Sequence, residues 1–217
     1  PNRAVRPAMI VLPGGGYGFL SDREAEPIAL SYLAAGFQAF VLRYTIGGEY
    51  RFEDALQDVS DAVKLVREQA EEWHLDPEKI AVCGFSAGGH LAAASGTLAE
   101  HKPNAMVLAY PCILESISRI LKFRVPSLDE AVTADTPPAF IFHTRNDQAV
   151  PVENSLRFAD ALDKAGVPFE MHIFGKGPHG ISLANSVTNS GHPTLADPVV
   201  EQWMPMSVTW LNRLFGL

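Results

Sequence analysis

The chain has 217 residues, of which 47% are hydrophobic and 19% charged. This composition supports a sizeable core and excludes a disordered tail or a coiled coil. The formal net charge of −8 argues against nucleic acid or an anionic membrane as the main partner. No apolar stretch approaches the length of a membrane span and residues 1–9 show no secretory signal, so we expect a cytoplasmic protein. Cys83 and Cys112 are expected to be buried free thiols.

Short apolar runs alternate with longer stretches of helical periodicity along the chain. The runs that predict strands span residues 8–12, 37–43, 79–83, 105–110, 139–144 and 169–174. The stretches that predict helices span residues 24–35, 52–73, 86–98, 152–165 and 198–215. Strands that alternate with helices form parallel βαβ units whose helices cover both faces of the sheet. We therefore expect one three-layer α/β domain over residues 1–217, with at least six parallel strands and a short lid-like insertion at about 112–135.

A serine flanked by glycines lies where the third predicted strand gives way to a helix. Residues 84–88 read Gly-Phe-Ser-Ala-Gly, after an apolar run and before a helix rich in alanine. This is the context of a nucleophile elbow, in which small neighbours permit a strained turn that lifts the serine hydroxyl clear of the sheet. The alternative is a structural serine in a glycine-rich turn. We predict that Ser86 is a nucleophile and that helix amides point at the reacting group.

A serine hydroxyl needs an adjacent base, and the base needs a carboxylate to orient it. In folds with this elbow, the acid and then the histidine follow the serine along the chain. Asp147 comes just after the strand predicted at 139–144, whereas Asp135 precedes that strand and Glu115 follows an earlier one. Because sites in parallel sheets lie beyond the carboxyl ends of the strands, we predict Asp147 as the acid.

The base is sought among seven histidines. His179 lies in a glycine-rich loop just beyond the last predicted strand, and flanking glycines let such a loop return over the sheet edge. His192 lies farther along the same loop and is the alternative. His143 falls inside a predicted strand, which is typical of a packed residue. We predict His179 as the general base.

The tetrahedral intermediate of such a reaction carries a negative charge that amide donors stabilise. Ala87, the residue after the serine, supplies one predicted donor. The loop at 12–17, Leu-Pro-Gly-Gly-Gly-Tyr, follows the first strand, and we assign further donors to Gly15 and Gly16. The alternatives are an ordinary glycine-rich turn or a phosphate-binding loop, but the Gly-Lys-Ser/Thr ending of the latter is missing.

In combination, these motifs resemble the α/β-hydrolases of the hormone-sensitive-lipase-like group. The glycine loop is similar to the His-Gly-Gly-Gly segment of those esterases, and residues 76–92 resemble their elbow. Residues 136–152 and 174–183 resemble their acid and histidine loops. The likeness to small bacterial acetylesterases and to xylan-esterase-like or feruloyl-esterase-like enzymes runs over about residues 6–214. The chain departs from the pattern at Pro13, where the group has histidine, and in largely lacking the usual N-terminal strands.

This resemblance implies a serine esterase that hydrolyses short-chain acyl esters, often acetyl groups on carbohydrate, through an acyl-enzyme and without a metal or organic cofactor. The implied partner is a small-molecule ester, and both a monomer and a homo-oligomer fit the sequence. Amide hydrolysis and non-catalytic ligand binding are the alternatives within the same fold. Tyr17 and Phe85 are expected to contact the substrate, with a place in the core as the alternative. Residues 21–24 are expected to begin a surface helix, with a position near the site as the alternative.

Overall fold

The computed structural model describes residues 5–122 and 124–217. The domain predicted over 1–217 and the insertion at 112–135 therefore include positions, 1–4 and Phe123, that lie outside the described residues. Within the described part, strands form one six-stranded parallel sheet in the order β2-β1-β3-β4-β5-β6. The strands are β1 Arg6–Leu12, β2 Gln38–Val41, β3 Leu75–Phe85, β4 Ala105–Ala109, β5 Ala139–Thr144 and β6 Phe169–Phe174.

Helices occupy most of the connections between these strands. They are α1 Glu26–Ala34, α2 Phe52–Glu68, α3 Ala70–Trp73, α4 Ala87–Thr97, α5 Glu153–Lys164 and α6 Trp203–Phe215. Short 3₁₀ helices span Asp22–Glu24, Glu115–Ile120, Pro193–Leu195 and Val200–Gln202. The helix predicted at 198–215 begins later because Asp197 Oδ1 accepts the amides of Val199 and Val200, which closes a turn before α6.

Helices cover both faces of the sheet. Ile10 of β1 packs in the same core as Val59 of α2. Its neighbour Val11 packs with Tyr32 of α1 and Leu211 of α6 on the other face, because successive side chains of a strand point to opposite sides. Burial of each apolar side chain of this kind stabilises the folded state by about 1.5–3 kcal/mol. The expected three-layer α/β architecture is confirmed.

The strand order positions the site. The chain passes from β1 outward to β2 and returns to β3 on the other side of β1. In open parallel sheets, such a reversal opens a crevice at the carboxyl ends of the strands, where ligands bind. β1 ends at Leu12, which pairs with Gly84 of β3, so the glycine loop and Ser86 leave the sheet side by side. None of the described helices has the length and apolar character that a membrane span requires.

Candidate active site

Ser86 lies in the tight turn between β3 and α4. Its φ of 53° and ψ of −115° are strained for a residue with a side chain. A close approach of two backbone segments shapes the turn, since a Cβ on Gly84 would collide with the carbonyl of Gly88. The Ser86 amide donates to the carbonyl of Ala109 at 3.0 Å, and its carbonyl accepts the amide of His90 at 3.0 Å. These contacts hold the serine at the carboxyl end of β3.

His179 connects Ser86 to Asp147. Its Nε2 lies 2.8 Å from Ser86 Oγ, and its Nδ1 lies 2.7 Å from Asp147 Oδ2. Because a carboxylate oxygen accepts, Nδ1 carries the proton and Nε2 is left to accept the serine proton. The ring of Tyr110 packs edge-on against His179 with 5.1 Å between ring centroids. The structure thus brings together three side chains that the sequence placed on three separate loops.

The Asp147 carboxylate is held by donors on both oxygens. Its Oδ1 accepts the amides of Ala149 and Val150, each at 2.9 Å. Its Oδ2 faces His179 and, at 3.4 Å, His143 Nε2. Burial acts to raise its pKa, but hydrogen bonds from His143, His179 and a backbone amide outweigh burial and hold the pKa well below its ordinary value. Asp147 is therefore ionised at neutral pH, as an orienting carboxylate must be.

His143 supports the acid from beneath, although the sequence predicted only a packing role for it. The side chain is fully buried at the end of β5. Its Nε2 lies 2.9 Å from the carbonyl of Val150, which only accepts, so Nε2 carries the proton. Its Nδ1 then accepts the hydroxyl of Ser155 at 2.8 Å. The signal in the sequence was the four-residue spacing between His143 and Asp147 across the end of a strand.

The glycine loop approaches Ser86 from β1. Gly15 and Gly16 line the cavity beside the serine, and Gly15 has a φ of 131°, which residues with side chains rarely adopt. Among the described residues, no acceptor is found for the amides of Gly15, Gly16 or Ala87. The Ala87 amide stands at the N-terminus of α4, where the helix dipole favours a negative charge. This is the arrangement that an oxyanion hole requires.

Two hydrogen bonds anchor the loop at Pro13 and Gly14. The Tyr44 hydroxyl donates to the carbonyl of Pro13 at 2.5 Å. The Gly14 amide donates to Glu24 Oε2 at 3.0 Å. Glu24 is only 3% exposed. The expectation of a surface helix at residues 21–24 is therefore wrong for Glu24, which turns inward to bind the loop, although Asp22–Glu24 does form a 3₁₀ turn.

Tyr17 and Phe85 do not line the cavity, contrary to expectation. Both side chains are fully buried. Tyr17 has a φ of 60° and its hydroxyl is hydrogen-bonded to His90 Nδ1 at 3.1 Å. Phe85 points to the face of the sheet opposite α4 and packs edge-on against Trp203. They support the loop and the sheet rather than contact a substrate.

The alternatives that the sequence left open lie elsewhere. His192 and Asp135 are exposed, and Glu115 pairs with Arg124 at 3.0 Å. Cys112 Sγ lies 4.0 Å from Ser86 Oγ, but burial raises the pKa of this thiol to about 12. It stays protonated at neutral pH and is a poor nucleophile.

A cavity of about 560 Å³ opens over Ser86 and His179. The 112–135 segment contributes one wall of it, through Arg119, Ile120, Leu121 and Lys122. Among residues 5–122 and 124–217, no group of three or more His, Cys, Asp or Glu side chains has the arrangement of a metal site.

The chain is similar to hydrolases of known structure. The α/β hydrolase MGS-M1, from a Medee basin deep-sea metagenome library, is 44% identical with a TM-score of 0.92, over 98% of this chain and 86% of that one. An acetyl ester-xyloside bifunctional hydrolase from Caldicellulosiruptor lactoaceticus is 35% identical with a TM-score of 0.86, over 99% of this chain and 85% of that one.

Curated relatives and family models agree with this likeness. An endo-1,4-beta-xylanase B from Butyrivibrio fibrisolvens is 34% identical over 86% of this chain, and an acetylxylan esterase from Xylanibacter ruminicola is 31% identical over 81%. The chain spans 34% and 41% of the length of these two proteins. Residues 1–118 match the BD-FAE family model, and residues 121–196 match that of the prolyl oligopeptidase family. Since the first match covers more than half of the 217 residues and the fold agrees, the chain belongs to the α/β-hydrolase family, within BD-FAE.

Proposed function

We propose that the chain is a serine carboxylic-ester hydrolase that removes short acyl groups, acetyl above all, from carbohydrate. The observation that carries this proposal is the hydrogen-bonded line from Ser86 through His179 to Asp147, at 2.8 and 2.7 Å. The relatives named an acetylxylan esterase and an acetyl ester-xyloside hydrolase support the choice of substrate.

Acylation follows from the placement of these side chains. Ser86 Oγ attacks the ester carbonyl carbon while His179 Nε2 takes the serine proton, and Asp147 stabilises the imidazolium. The carbonyl oxygen becomes an oxyanion that accepts the amides of the glycine loop and of Ala87. One such donor lowers the barrier by about 3 kcal/mol. The intermediate collapses, the bond to the alcohol oxygen breaks, and His179 protonates the departing alcohol.

Deacylation repeats the cycle with water. His179 Nε2 takes a proton from a water molecule as that water attacks the acyl carbon on Ser86. The same amides hold the second oxyanion. Its collapse releases the free acid, and the proton returns to Ser86 Oγ.

The shape of the cavity favours a short acyl group on a bulky alcohol. The described part of the 112–135 segment contains one short 3₁₀ helix, Glu115–Ile120, beside the cavity. Such a short segment provides one wall rather than a long apolar tunnel, so a large alcohol has room beside the serine.

Hydrolysis of p-nitrophenyl acetate, butyrate and octanoate, and acetate release from acetylated xylan, test this proposal. We expect kcat/KM to be highest for p-nitrophenyl acetate among the three p-nitrophenyl esters. We expect Ser86→Ala to lower kcat by about 10⁴-fold or more. Ser186→Ala, a change at an exposed serine, is the control and should behave as the wild type. Hydrolysis that survives Ser86→Ala would refute the proposal.

Amide hydrolysis is a second candidate. It is favoured by the match of residues 121–196 to the prolyl oligopeptidase family, because that stretch contains Asp147 and His179. A panel of aminoacyl p-nitroanilides measured beside p-nitrophenyl acetate decides between the two. We expect kcat/KM to be larger for the ester, and a larger value for an anilide would replace the first proposal by the second.

A further inference from the structure

We propose that the alcohol part of the substrate is anionic, an acylated oligosaccharide whose sugars carry carboxylates. It would bind along a basic rim formed by Arg51, Arg119, Lys122 and Arg124. This inference rests on the proposed function and deepens it, because a rim beside Ser86 selects substrates only if esters are cleaved there.

The rim begins inside the cavity that holds the catalytic side chains. Arg119 and Lys122 are exposed and line the same cavity as Ser86 and His179. Among the ion pairs of the described residues, none involves Arg119 or Lys122. Their charges are therefore available to a ligand.

A third cation in the cavity wall is also without a carboxylate partner. Arg23 donates to the carbonyls of Thr188 and Gly180, which satisfy its hydrogen bonds but leave its positive charge in place. The acid in the same wall, Glu24, is buried and already accepts two hydrogen bonds. Its carboxylate offsets one positive charge of this wall, and the lining still holds three basic side chains against this one acid.

The rim continues into an adjoining cleft of about 340 Å³ that shares Lys122 with the first cavity. Arg51 and Arg124 line this cleft. Tyr50 lies in the same wall with 52% of its surface exposed and presents an apolar ring to a sugar face. The two spaces lie on either side of Lys122 and together offer room for a chain of several sugars.

The sign of the charge selects the ligand. The chain as a whole carries a net charge of −8, yet the walls of the two spaces hold five basic and two acidic side chains. They are Arg23, Arg51, Arg119, Lys122 and Arg124 against Glu24 and Glu53. Glu115 pairs with Arg124 at 3.0 Å, and with this third acid counted the basic side chains still outnumber the acidic ones. Like charges that line a cleft focus the field and raise the local concentration of oppositely charged ligands.

The arginines of the rim further favour a carboxylate. A guanidinium matches a carboxylate with two parallel hydrogen bonds, which a neutral hydroxyl cannot reproduce. Uronic acids are common carboxylate-bearing sugars of acetylated polysaccharides. A uronate neighbouring the acetylated sugar would meet the rim while the acetyl carbonyl lies at Ser86.

Acetate release is measured from two acetylated oligosaccharides that differ only in the carboxylate, an oligogalacturonide and an oligogalactoside of the same length, linkage and acetyl content. We expect kcat/KM to be about tenfold larger for the oligogalacturonide at low salt, and the ratio to approach one at about 0.5 M NaCl, where screening shortens the reach of charges. The ratio should fall about tenfold in Arg119→Glu/Lys122→Glu and less in Arg119→Gln/Lys122→Gln. Because both rates come from the same variant, a general loss of activity cancels in the ratio.

The control variant is Lys64→Glu/Arg213→Glu, which makes the same charge change at exposed positions of α2 and α6 and should keep the wild-type ratio. The inference would be overturned by equal kcat/KM values for the two oligosaccharides or by no turnover of either. It would also be overturned if the ratio fell as far in the control variant as in Arg119→Glu/Lys122→Glu. If the wild type hydrolyses p-nitrophenyl acetate while one of these outcomes is found, the inference fails and the proposed function still holds. Failure of the wild type to hydrolyse p-nitrophenyl acetate would overturn the proposed function and the inference with it.

Discussion

The amide of Gly14 donates a hydrogen bond at 3.0 Å to Oε2 of Glu24, a residue in the wall of the cavity. The other oxygen, Glu24 Oε1, accepts the hydroxyl of Tyr110 at 2.6 Å. The Tyr110 oxygen in turn accepts the amide of Ser182 at 3.0 Å, three residues beyond His179. One buried carboxylate thus connects the glycine loop with the histidine loop.

Removal of this carboxylate is expected to reduce kcat more than it changes KM. Glu24→Ala leaves Gly14 without its acceptor, so the loop no longer holds its amides toward the oxyanion. We expect kcat to fall about 10²-fold, with KM within about threefold, because the lost donors act in the transition state. Glu24→Gln keeps one acceptor and should lose about tenfold. A loss of thermal stability with an unchanged kcat would reduce Glu24 to a purely structural role.

His143 is expected to act as a positioning residue through Asp147. His143→Phe keeps an aromatic ring, somewhat larger than imidazole, but removes the hydrogen bonds to Val150 and Ser155. We expect the free energy of unfolding to fall by about 2 kcal/mol and kcat to fall about tenfold with KM unchanged. Ser155→Ala removes only the hydrogen bond from the Ser155 hydroxyl to His143 Nδ1. It should lower the free energy of unfolding by about 1 kcal/mol. Urea unfolding and steady-state kinetics measure both effects, and an undiminished kcat in His143→Phe would contradict the assignment.

Tyr17 is expected to support the loop without touching the substrate. Tyr17→Phe removes the hydroxyl that is hydrogen-bonded to His90 and should lower the free energy of unfolding by about 1 kcal/mol. KM for acetyl esters is expected to stay unchanged, because the side chain is fully buried. A tenfold rise in KM with normal stability would show that Tyr17 reaches the substrate after all.

His90 is expected to make stability depend on pH. Burial lowers its pKa from 6.5 to about 4, against the opposing effect of the Pro126 carbonyl. The unfolded chain therefore takes up a proton near pH 6.5 while the folded chain stays neutral, so stability falls as pH drops through this window. We expect a loss of about 2 kcal/mol between about pH 7 and pH 4.5. The low pKa of Asp147 acts below this window, because its stabilisation is lost only as pH falls below about 4.

Urea unfolding at the two pH values checks the His90 prediction. His90→Gln has no titrating ring, so its stability should change with pH by about 2 kcal/mol less than that of the wild type. Equal pH dependence in both proteins would show that His90 is not the group responsible.

The side chains that we propose as catalytic could be predicted from the sequence because each follows the end of a strand. Ser86, Asp147 and His179 come within five residues of the ends of β3, β5 and β6, and the strands are readable as short apolar runs. A parallel sheet brings those ends to one edge, so their proximity follows from topology. The order of the three residues along the chain completed the argument.

The parts that the sequence could not predict depend on tertiary contacts. The direction of the Tyr17 side chain follows from its φ of 60°, and that of Phe85 from the register of β3. Glu24 binds a backbone amide and a residue 86 positions away, and neither partner appears in a pattern of residue types. In the sequence, His143 resembles a core residue of β5, because its partners Asp147, Val150 and Ser155 reach its ring only in the folded chain.

Covalent trapping of Ser86 tests the central claim most directly. The wild type is treated with diethyl p-nitrophenyl phosphate, and both the released p-nitrophenol and the modified peptide are measured. We predict one diethylphosphoryl group per chain, attached to Ser86 Oγ, with complete loss of esterase activity and with much slower labelling in Asp147→Asn and His179→Ala. Attachment to another residue, such as Cys112 at 4.0 Å, or esterase activity that survives full modification of Ser86, would contradict the account.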